Sequence, residues 1–287
     1  MSSKSAPCAD EPVVGGMTHP AMYPILKIPS ACGELACRVA GAGAPLVLLH
    51  GGAGSWTHWK RNIAALASRW QVHAVDLPGC GDSPDVPAGT TAAAYTALVT
   101  AALEGYPGFR RPLFLAGFSF GAAVAAAVAA RPATAVARIA LLGPGGFGQP
   151  VGRALNLRKV PFGEHDVAVR QALAHNLREM MLADADAIDD DTLALHRDNV
   201  MRARFDSRRV SLSDSMLRDL AQIQCPVLAV WGERDSLAYP SVDARARLCR
   251  TLGRDVTAEI VPTAGHWVQY EAPGAVNDAL VRFFDPA

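Results

Sequence analysis

The chain has 287 residues, is half hydrophobic, and carries 27 basic and 27 acidic side chains, for a formal net charge of zero. A chain of this length is long for one core and short for two equal domains, so we predict one α/β domain that carries an insertion. The balanced charge excludes the strong electrostatic attraction that nucleic acids and anionic membranes require of a partner. We therefore expect a small-molecule substrate, no nucleic acid and no membrane.

The N-terminal segment, residues 1–22, is rich in Ser, Pro, Gly and Ala and shows no hydrophobic periodicity. This composition predicts a flexible arm outside the folded core. The segment lacks the apolar stretch of a secretory signal peptide. The six cysteines of the chain show no C-x-x-C spacing, which argues against a zinc site and a disulfide framework. We therefore predict a cytoplasmic protein that binds no metal ion.

Short apolar runs bounded by turn residues recur along the rest of the chain. They predict strands at 23–29, 34–40, 45–49, 71–76, 113–118, 139–142, 226–231 and 258–261. The first two strands would form an antiparallel hairpin, whereas the later strands alternate with helical segments. This alternation predicts an α/β fold with a mostly parallel eight-stranded sheet and helices on both faces. Ligands of such sheets bind beyond the carboxyl ends of the strands.

The alternation stops in one long segment near the middle of the chain. Between residues 144 and 221 no strand-like run occurs, and leucines recur at helical spacing among Arg and Asp. Helices are predicted near 166–183, 190–204 and 211–222. An insertion after a central strand would lie over the active-site edge of the sheet. We therefore predict a helical cap (lid) at 144–221 on a core formed by 23–143 and 222–287.

The predicted strand 113–118 leads into Gly117-Phe118-Ser119-Phe120-Gly121, a G-x-S-x-G pattern. This pattern is typical of a nucleophile elbow, in which a serine lies on a sharp turn between a strand and a helix. The turn requires residues without a Cβ atom two positions before and after the serine, because the strand and helix backbones approach closely there. Ser119 is therefore the candidate nucleophile.

Two further strand ends supply the side chains that a serine nucleophile needs. Asp235 follows one strand in W-G-E-R-D, and His266 follows the last strand in T-A-G-H-W. A histidine accepts the proton of the serine hydroxyl, and an acid fixes the tautomer of that histidine. The order Ser119, Asp235, His266 is the one expected for this arrangement, with Glu233 as the competing acid.

A serine nucleophile also requires two backbone N–H groups that stabilise the oxyanion. One donor comes from the residue after the nucleophile and the other from the loop after the first parallel strand. Phe120 is the first donor. Gly52, in the H-G-G-A-G loop at 50–54, is the second, and Ala53 is the competing choice.

Together, the motifs HGGAG, DLPGCGDS, GFSFG, WGERD and GHW resemble those of the α/β-hydrolase superfamily over about residues 23–287. The resemblance implies an α/β-hydrolase fold and a serine hydrolase that forms an acyl-enzyme without a cofactor. It also implies that a homodimer is a common assembly.

Two motifs resemble those of capped hydrolases that cleave carbon–carbon bonds in meta-cleavage products. One is the G-H-W-V-Q-Y-E run at 265–271, and the other is an arginine in the predicted cap, in A-L-H-R-D-N-V-M. The resemblance implies that Arg197 binds a substrate carboxylate and that Trp267 lines the pocket. Acidic residues precede Arg197, so a surface ion pair is the competing interpretation. Trp267 is equally consistent with a place in the core.

The residue before the nucleophile departs from that family, which usually has asparagine where this chain has Phe118. An apolar wall favours an ester with an apolar acyl or aryl part. The G-F-S-x-G elbow also resembles those of esterases and cofactor-free perhydrolases. We therefore predict hydrolysis of a small or medium carboxylic ester. The alternatives are carbon–carbon bond hydrolysis of a 2-hydroxy-6-oxo-dienoate and a non-catalytic small-molecule receptor on the same fold.

Overall fold

The computed structural model describes residues 23–109, 112–132, 135–152, 155–163 and 166–285, so the predicted arm at 1–22 lies outside the described residues. Eight strands form one sheet. They are β1 (Ile25–Ser30), β2 (Gly33–Ala40), β3 (Pro45–Leu49), β4 (Gln71–Val75), β5 (Leu113–Phe118), β6 (Val136–Leu142), β7 (Val227–Gly232) and β8 (Val256–Val261). Their order in the sheet is β1-β2-β4-β3-β5-β6-β7-β8.

The sheet is mostly parallel. β2 pairs antiparallel with β1 and with β4, and all other neighbouring strands are parallel. The predicted α/β fold with an eight-stranded, mostly parallel sheet is therefore confirmed. β4 lies on one side of β3 and β5 on the other. The carboxyl ends of β3 and β5 thus form a switch point of the topology, the place where such sheets bind ligands.

Helices cover both faces of the sheet. Six lie before β6 or after β7: α1 (Ile63–Leu66), α2 (Ala92–Gly105), α3 (Phe120–Ala129), α8 (Val242–Leu252), α9 (Val268–Glu271) and α10 (Pro273–Phe284). Between β6 and β7 lie α4 (Asp166–Asn176), α5 (Asp190–Met201), α6 (Arg208–Ser211) and α7 (Ser215–Gln222). None of the helices among the described residues is both long and apolar enough to cross a membrane.

The segment between β3 and β4 is only partly helical. A short 3₁₀ turn, Trp56–Trp59, precedes α1, which is a single turn. Asn62 lies between them, and its side-chain amide donates hydrogen bonds to the carbonyl oxygen of Gln269 and to Asn277. These long-range contacts to the C-terminal region replace the regular helix that the local sequence favours.

The alternating side chains of the central strands define two core layers. Leu46 and Leu48 of β3 pack on one face with residues of α1 and α10, whereas Val47 and Leu49 pack on the other with residues of α2 and α3. The central strands are buried on both faces, as the continuous apolar run 45–49 predicts.

The helical segment between β6 and β7 is attached to loops at the carboxyl edge of the sheet. The N–H of Arg204 donates to the carbonyl oxygen of Gly79, after β4, at 2.7 Å. The N–H of Trp267, after β8, donates to the carbonyl oxygen of Met181 at 2.8 Å. These bonds place residues of the segment beside the carboxyl ends of β4 and β8, and the second of these strand ends leads to His266.

Candidate active site

Ser119 lies on the sharp turn between β5 and α3. Its φ of 52° and ψ of −113° lie in a region that residues with a side chain rarely adopt. A Cβ atom added to Gly117 would lie 2.4 Å from the carbonyl oxygen of Gly121, and one added to Gly121 would lie 2.3 Å from that of His50. Both contacts are with backbone atoms, so the two glycines are sterically required at these positions.

Gly121→Ala is expected to lower the free energy of unfolding by about 1–3 kcal/mol, because the backbone of β3 and its loop must move to accept the methyl group. Gly105→Ala is the matched control, since a Cβ atom at Gly105 would have open space around it. The control should change stability by less than about 1 kcal/mol. Urea denaturation measures both values, and equal stability of the two variants would contradict the steric argument.

The structure brings Ser119, Asp235 and His266 together in one hydrogen-bonded chain. His266 Nδ1 lies 2.9 Å from Asp235 Oδ2 and 3.0 Å from Oδ1. Because an ionised carboxylate only accepts hydrogen bonds, Nδ1 carries the proton and donates it. His266 Nε2 is then an acceptor, and Ser119 Oγ lies 2.9 Å from it. Asp235 and His266 are both buried, so the pair is shielded from water.

The competing acid, Glu233, faces elsewhere. Its carboxylate accepts a hydrogen bond from the N–H of Thr263 at 2.9 Å and is exposed. Asp235 Oδ1 also accepts a hydrogen bond from the N–H of Leu237 at 2.9 Å, which fixes the orientation of the carboxylate toward His266. The geometry therefore favours Asp235 over Glu233 as the partner of the histidine.

His50 orients the glycine loop after β3. The N–H of Leu77 donates to His50 Nε2 at 2.9 Å, so the proton lies on Nδ1, which donates to the carbonyl oxygen of Gly51 at 2.7 Å. Burial lowers the pKa of His50 to about 4, which keeps the ring neutral. His50 therefore has a positioning role and no contact with the candidate nucleophile.

His58, which no sequence motif marks, binds the same glycine loop through a side-chain hydrogen bond. Its Nδ1 accepts a hydrogen bond from the N–H of Gly51 at 3.1 Å. Its ring packs against those of Phe118 and Trp267, with centroid distances of 5.5 and 4.7 Å. Burial, and then the neighbouring histidines, hold the pKa of His58 well below its usual value. A single polar residue in a tryptophan-rich turn gives no sequence signal for such a contact.

The amide of Gly51 is thereby occupied, so Phe120 and either Gly52 or Ala53 are the remaining candidates for an oxyanion hole. Phe120 is the first residue of α3, where backbone N–H groups have no acceptor within the helix. Gly52, Ala53 and Phe120 line one cavity together with Ser119 and His266. The predicted oxyanion donors and the candidate nucleophile thus lie around the same space.

Two adjoining cavities meet at Ser119 and His266. The first, with a volume of about 300 Å³, contains Gly52 and Phe120 and is called the oxyanion lobe. The second, of about 240 Å³, is called the Arg245 lobe; the loop at 143–148 and Arg245 form part of its wall. Both lobes are partly closed by residues between β6 and β7, namely Leu157, Met180, Arg208 and Ser211.

Of the predicted pocket residues Phe118 and Trp267, only Phe118 lines one of the two lobes. Phe118 is fully buried, contributes to the wall of the oxyanion lobe and packs against the His266 ring at a centroid distance of 5.0 Å. Trp267 lines neither lobe. It is fully buried, stacks on Tyr270 and donates from Nε1 to the carbonyl oxygen of His58 at 3.0 Å. Trp267 is therefore a core residue, and its predicted place in the pocket is corrected.

The predicted place of Arg197 in the substrate pocket is also wrong. Its side chain is 45% exposed and forms an ion pair with Asp166 at 3.2 Å. It lines a separate surface groove between α4 and α5, away from Ser119. The helix directs this arginine outward, so the competing interpretation of a surface ion pair describes it correctly.

The chain is similar to several known proteins. The model of the alpha/beta hydrolase family matches residues 46–279. A 2-hydroxy-6-oxononadienedioate/2-hydroxy-6-oxononatrienedioate hydrolase of Pseudomonas putida is 27% identical, over 85% of this chain and 88% of that protein. The crystal structure of an esterase from Rhodococcus sp. ECU1013 has a TM-score of 0.76 at 26% identity, over 91% of this chain and 98% of that one.

A third relative is longer than this chain. The dihydrolipoyllysine-residue acetyltransferase component of the acetoin cleaving system of Pseudomonas putida is 29% identical over 84% of this chain. The match spans 63% of the length of that protein. The similarity therefore concerns only a part of the acetyltransferase component.

Proposed function

This chain belongs to the alpha/beta hydrolase family, and we propose that it is a serine hydrolase that cleaves carboxylic esters of small or medium size. The observation that carries the proposal is the hydrogen-bonded chain from Ser119 through His266 to Asp235 at the junction of the two lobes. Such a chain activates a serine hydroxyl, which is otherwise a poor nucleophile.

In the first half of the proposed reaction, His266 Nε2 accepts the proton of Ser119 as Oγ attacks the ester carbonyl carbon. The N–H groups of Phe120 and Gly52 donate hydrogen bonds to the resulting oxyanion. Asp235 stabilises the positively charged imidazolium. His266 then returns the proton to the leaving alkoxide, and an alcohol departs from the acyl-enzyme.

In the second half, a water molecule takes the place of the alcohol. His266 accepts a proton from the water as its oxygen attacks the acyl carbon, and the same N–H groups stabilise the second oxyanion. Collapse of this intermediate releases a carboxylic acid, and the proton on His266 returns to Ser119. One ester and one water thus give one acid and one alcohol without a cofactor.

Apolar side chains in the walls of the lobes favour an ester substrate with apolar parts. Phe118 stands before the nucleophile, and Leu157 and Met180 contribute to both lobes. We propose that the helical segment at 144–221 is a cap, because it supplies Leu157, Met180 and Phe205 to the cavity walls. A cap that excludes water strengthens the electrostatic contacts around a reacting carbonyl.

The second candidate is hydrolysis of a carbon–carbon bond in a 2-hydroxy-6-oxo-dienoate. The similarity to the dienedioate hydrolase of Pseudomonas putida, which extends over most of both chains, supports this candidate. The outward position of Arg197 removes one argument for this candidate. Phe118, in place of a polar residue, removes another.

We further propose a cytoplasmic location. Cys37, Cys80 and Cys249 are buried, and burial raises the pKa of Cys80 and Cys249 to about 12. These thiols therefore stay protonated and unreactive at neutral pH. A reducing compartment suits a chain whose cysteines have no pairing pattern.

Steady-state assays of the 287-residue chain distinguish these candidates. We expect kcat/KM for p-nitrophenyl butyrate to exceed that for 2-hydroxy-6-oxo-6-phenylhexa-2,4-dienoate by at least 100-fold. A higher value for the dienoate would establish the second candidate instead. Saturable binding of both compounds with no turnover of either would indicate a small-molecule receptor.

A further inference from the structure

Arg245, on the first turns of α8, is a buried cation in the wall of the candidate active site. The residue is only 8% exposed, and it lines the Arg245 lobe together with Ser119 and His266. Arginine is almost never buried to this extent without a partner of opposite charge. A buried charge without such a partner is energetically costly.

The guanidinium of Arg245 has no such partner within the described part of the chain. No hydrogen bond or ion pair joins it to another described residue, and it lies over the Phe147 ring, whose centroid is 4.3 Å from Cζ. Burial lowers its pKa, although an arginine still remains charged. The unpaired nitrogens are not among the polar atoms that are sealed from solvent. They therefore remain accessible to a ligand.

The other charged groups of the lobe are already paired. The Asp235 carboxylate accepts from His266. Arg208 is 75% exposed and binds the Asp206 carboxylate through Nε at 2.7 Å and Nη2 at 3.0 Å. Much of the remaining wall is apolar and includes Val151, Leu155 and Leu212. Among the described residues of this lobe, Arg245 is thus the one cation without a counter-charge.

We propose that the substrate carries a carboxylate, which Arg245 binds while the scissile carbonyl lies at Ser119. This inference rests on the proposed serine hydrolase function and narrows its substrate class. The substrate is an ester with an apolar body and one negatively charged end. An arginine binds a carboxylate through two parallel hydrogen bonds, and the carboxylate supplies the missing counter-charge. Neutral esters occupy the same lobe without that contact.

Two matched pairs of esters test the proposal for either orientation of the substrate. Mono-p-nitrophenyl glutarate and p-nitrophenyl pentanoate differ by a carboxylate on the acyl part. 4-Acetoxybenzoate and its methyl ester differ by a carboxylate on the alcohol part. In one of the pairs, the wild-type protein should favour the anionic member at least tenfold in kcat/KM, and 0.5 M NaCl should weaken that preference.

Arg245→Met keeps the apolar stem and removes the charge. It should lower kcat/KM for the preferred anionic ester by about 30-fold more than for its neutral partner, mainly through KM. Arg245→Lys should restore part of the loss. Arg197→Met, which removes an exposed ion pair, is the matched control and should leave the preference unchanged. Loss of the preference in Arg208→Met, with its retention in Arg245→Met, would overturn the assignment.

Other outcomes separate this inference from the proposed function. If neutral esters are turned over and neither anionic ester is favoured, the inference fails and the proposed function stands. If no ester is turned over, calorimetric titration of Ser119→Ala with glutarate and benzoate decides the inference alone. The inference requires that Arg245→Met, added to Ser119→Ala, weakens the binding of glutarate or benzoate at least tenfold. Equal or undetectable binding would overturn it. Should Arg245→Met not fold, the wild-type ratios and Arg245→Lys decide.

Discussion

Replacement of Ser119 with alanine is expected to lower kcat/KM for p-nitrophenyl butyrate by about 10⁵- to 10⁶-fold. The variant loses the only oxygen that lies within hydrogen-bonding distance of His266 Nε2 among the described residues. The oxyanion donors and the cavity remain, so a small residual activity above the uncatalysed rate should persist. Pre-steady-state assays with excess substrate should show no burst of p-nitrophenol, because no acyl-enzyme forms.

Ser211→Ala is the matched control for this substitution. Ser211 lines both lobes, as Ser119 does, but no hydrogen bond joins its side chain to His266 in the described structure. Its replacement should lower kcat/KM by less than about tenfold. A similar loss in both variants would mean that the effect of Ser119→Ala comes from the shape of the cavity and not from nucleophilic attack.

Asp235→Asn is expected to lower kcat by about 10⁴-fold while the fold is retained. An asparagine amide that donates to Nδ1 of His266 would move the imidazole proton to Nε2. Nε2 could then no longer accept the proton of Ser119, with which it lies in contact at 2.9 Å. The measurement is kcat for p-nitrophenyl butyrate, with circular dichroism to verify folding.

Glu233→Gln provides the control for the acid. Glu233 has the same charge and lies two residues away, but its carboxylate binds the N–H of Thr263. Its replacement should change kcat by less than about threefold. A larger loss for Glu233→Gln than for Asp235→Asn would show that the acid is misassigned and would contradict the hydrogen-bonding pattern around His266.

The positions of Ser119, Asp235 and His266 could be predicted from sequence because each depends on local information. Each residue follows an apolar run that forms a strand, and parallel strands direct their carboxyl ends to one edge of the sheet. The glycines at 117 and 121 identify the turn through a steric requirement that no other residue meets. The fold follows from the same alternation of strands and helices.

The pocket residues could not be predicted in this way, because their roles depend on contacts between distant segments. Arg197 lies in a motif context that resembles a ligand-binding arginine, yet the packing of α5 turns it outward to Asp166. Conversely, Arg245, Arg247 and Arg250 all lie on α8 in similar surroundings, and only Arg245 is buried. Which arginine faces the cavity depends on how α8 packs against the loop at 143–148.

His58 illustrates the same limit for positioning residues. Its contact with the Gly51 amide links a short 3₁₀ turn to the loop after β3, and its ring packs against Trp267, far along the chain. No periodic pattern or motif marks that meeting of three segments. Local sequence signals therefore predict the three side chains that the structure brings together, whereas the contacts that position them depend on distant segments.

Labelling with a fluorophosphonate tests whether Ser119 is an activated nucleophile, because the reagent reacts covalently with such a serine and needs no knowledge of the substrate. We expect one adduct per chain by intact mass, located on Ser119 by peptide mapping, and its loss in His266→Ala. An unlabelled wild-type protein, or an adduct on a serine other than Ser119, would contradict it.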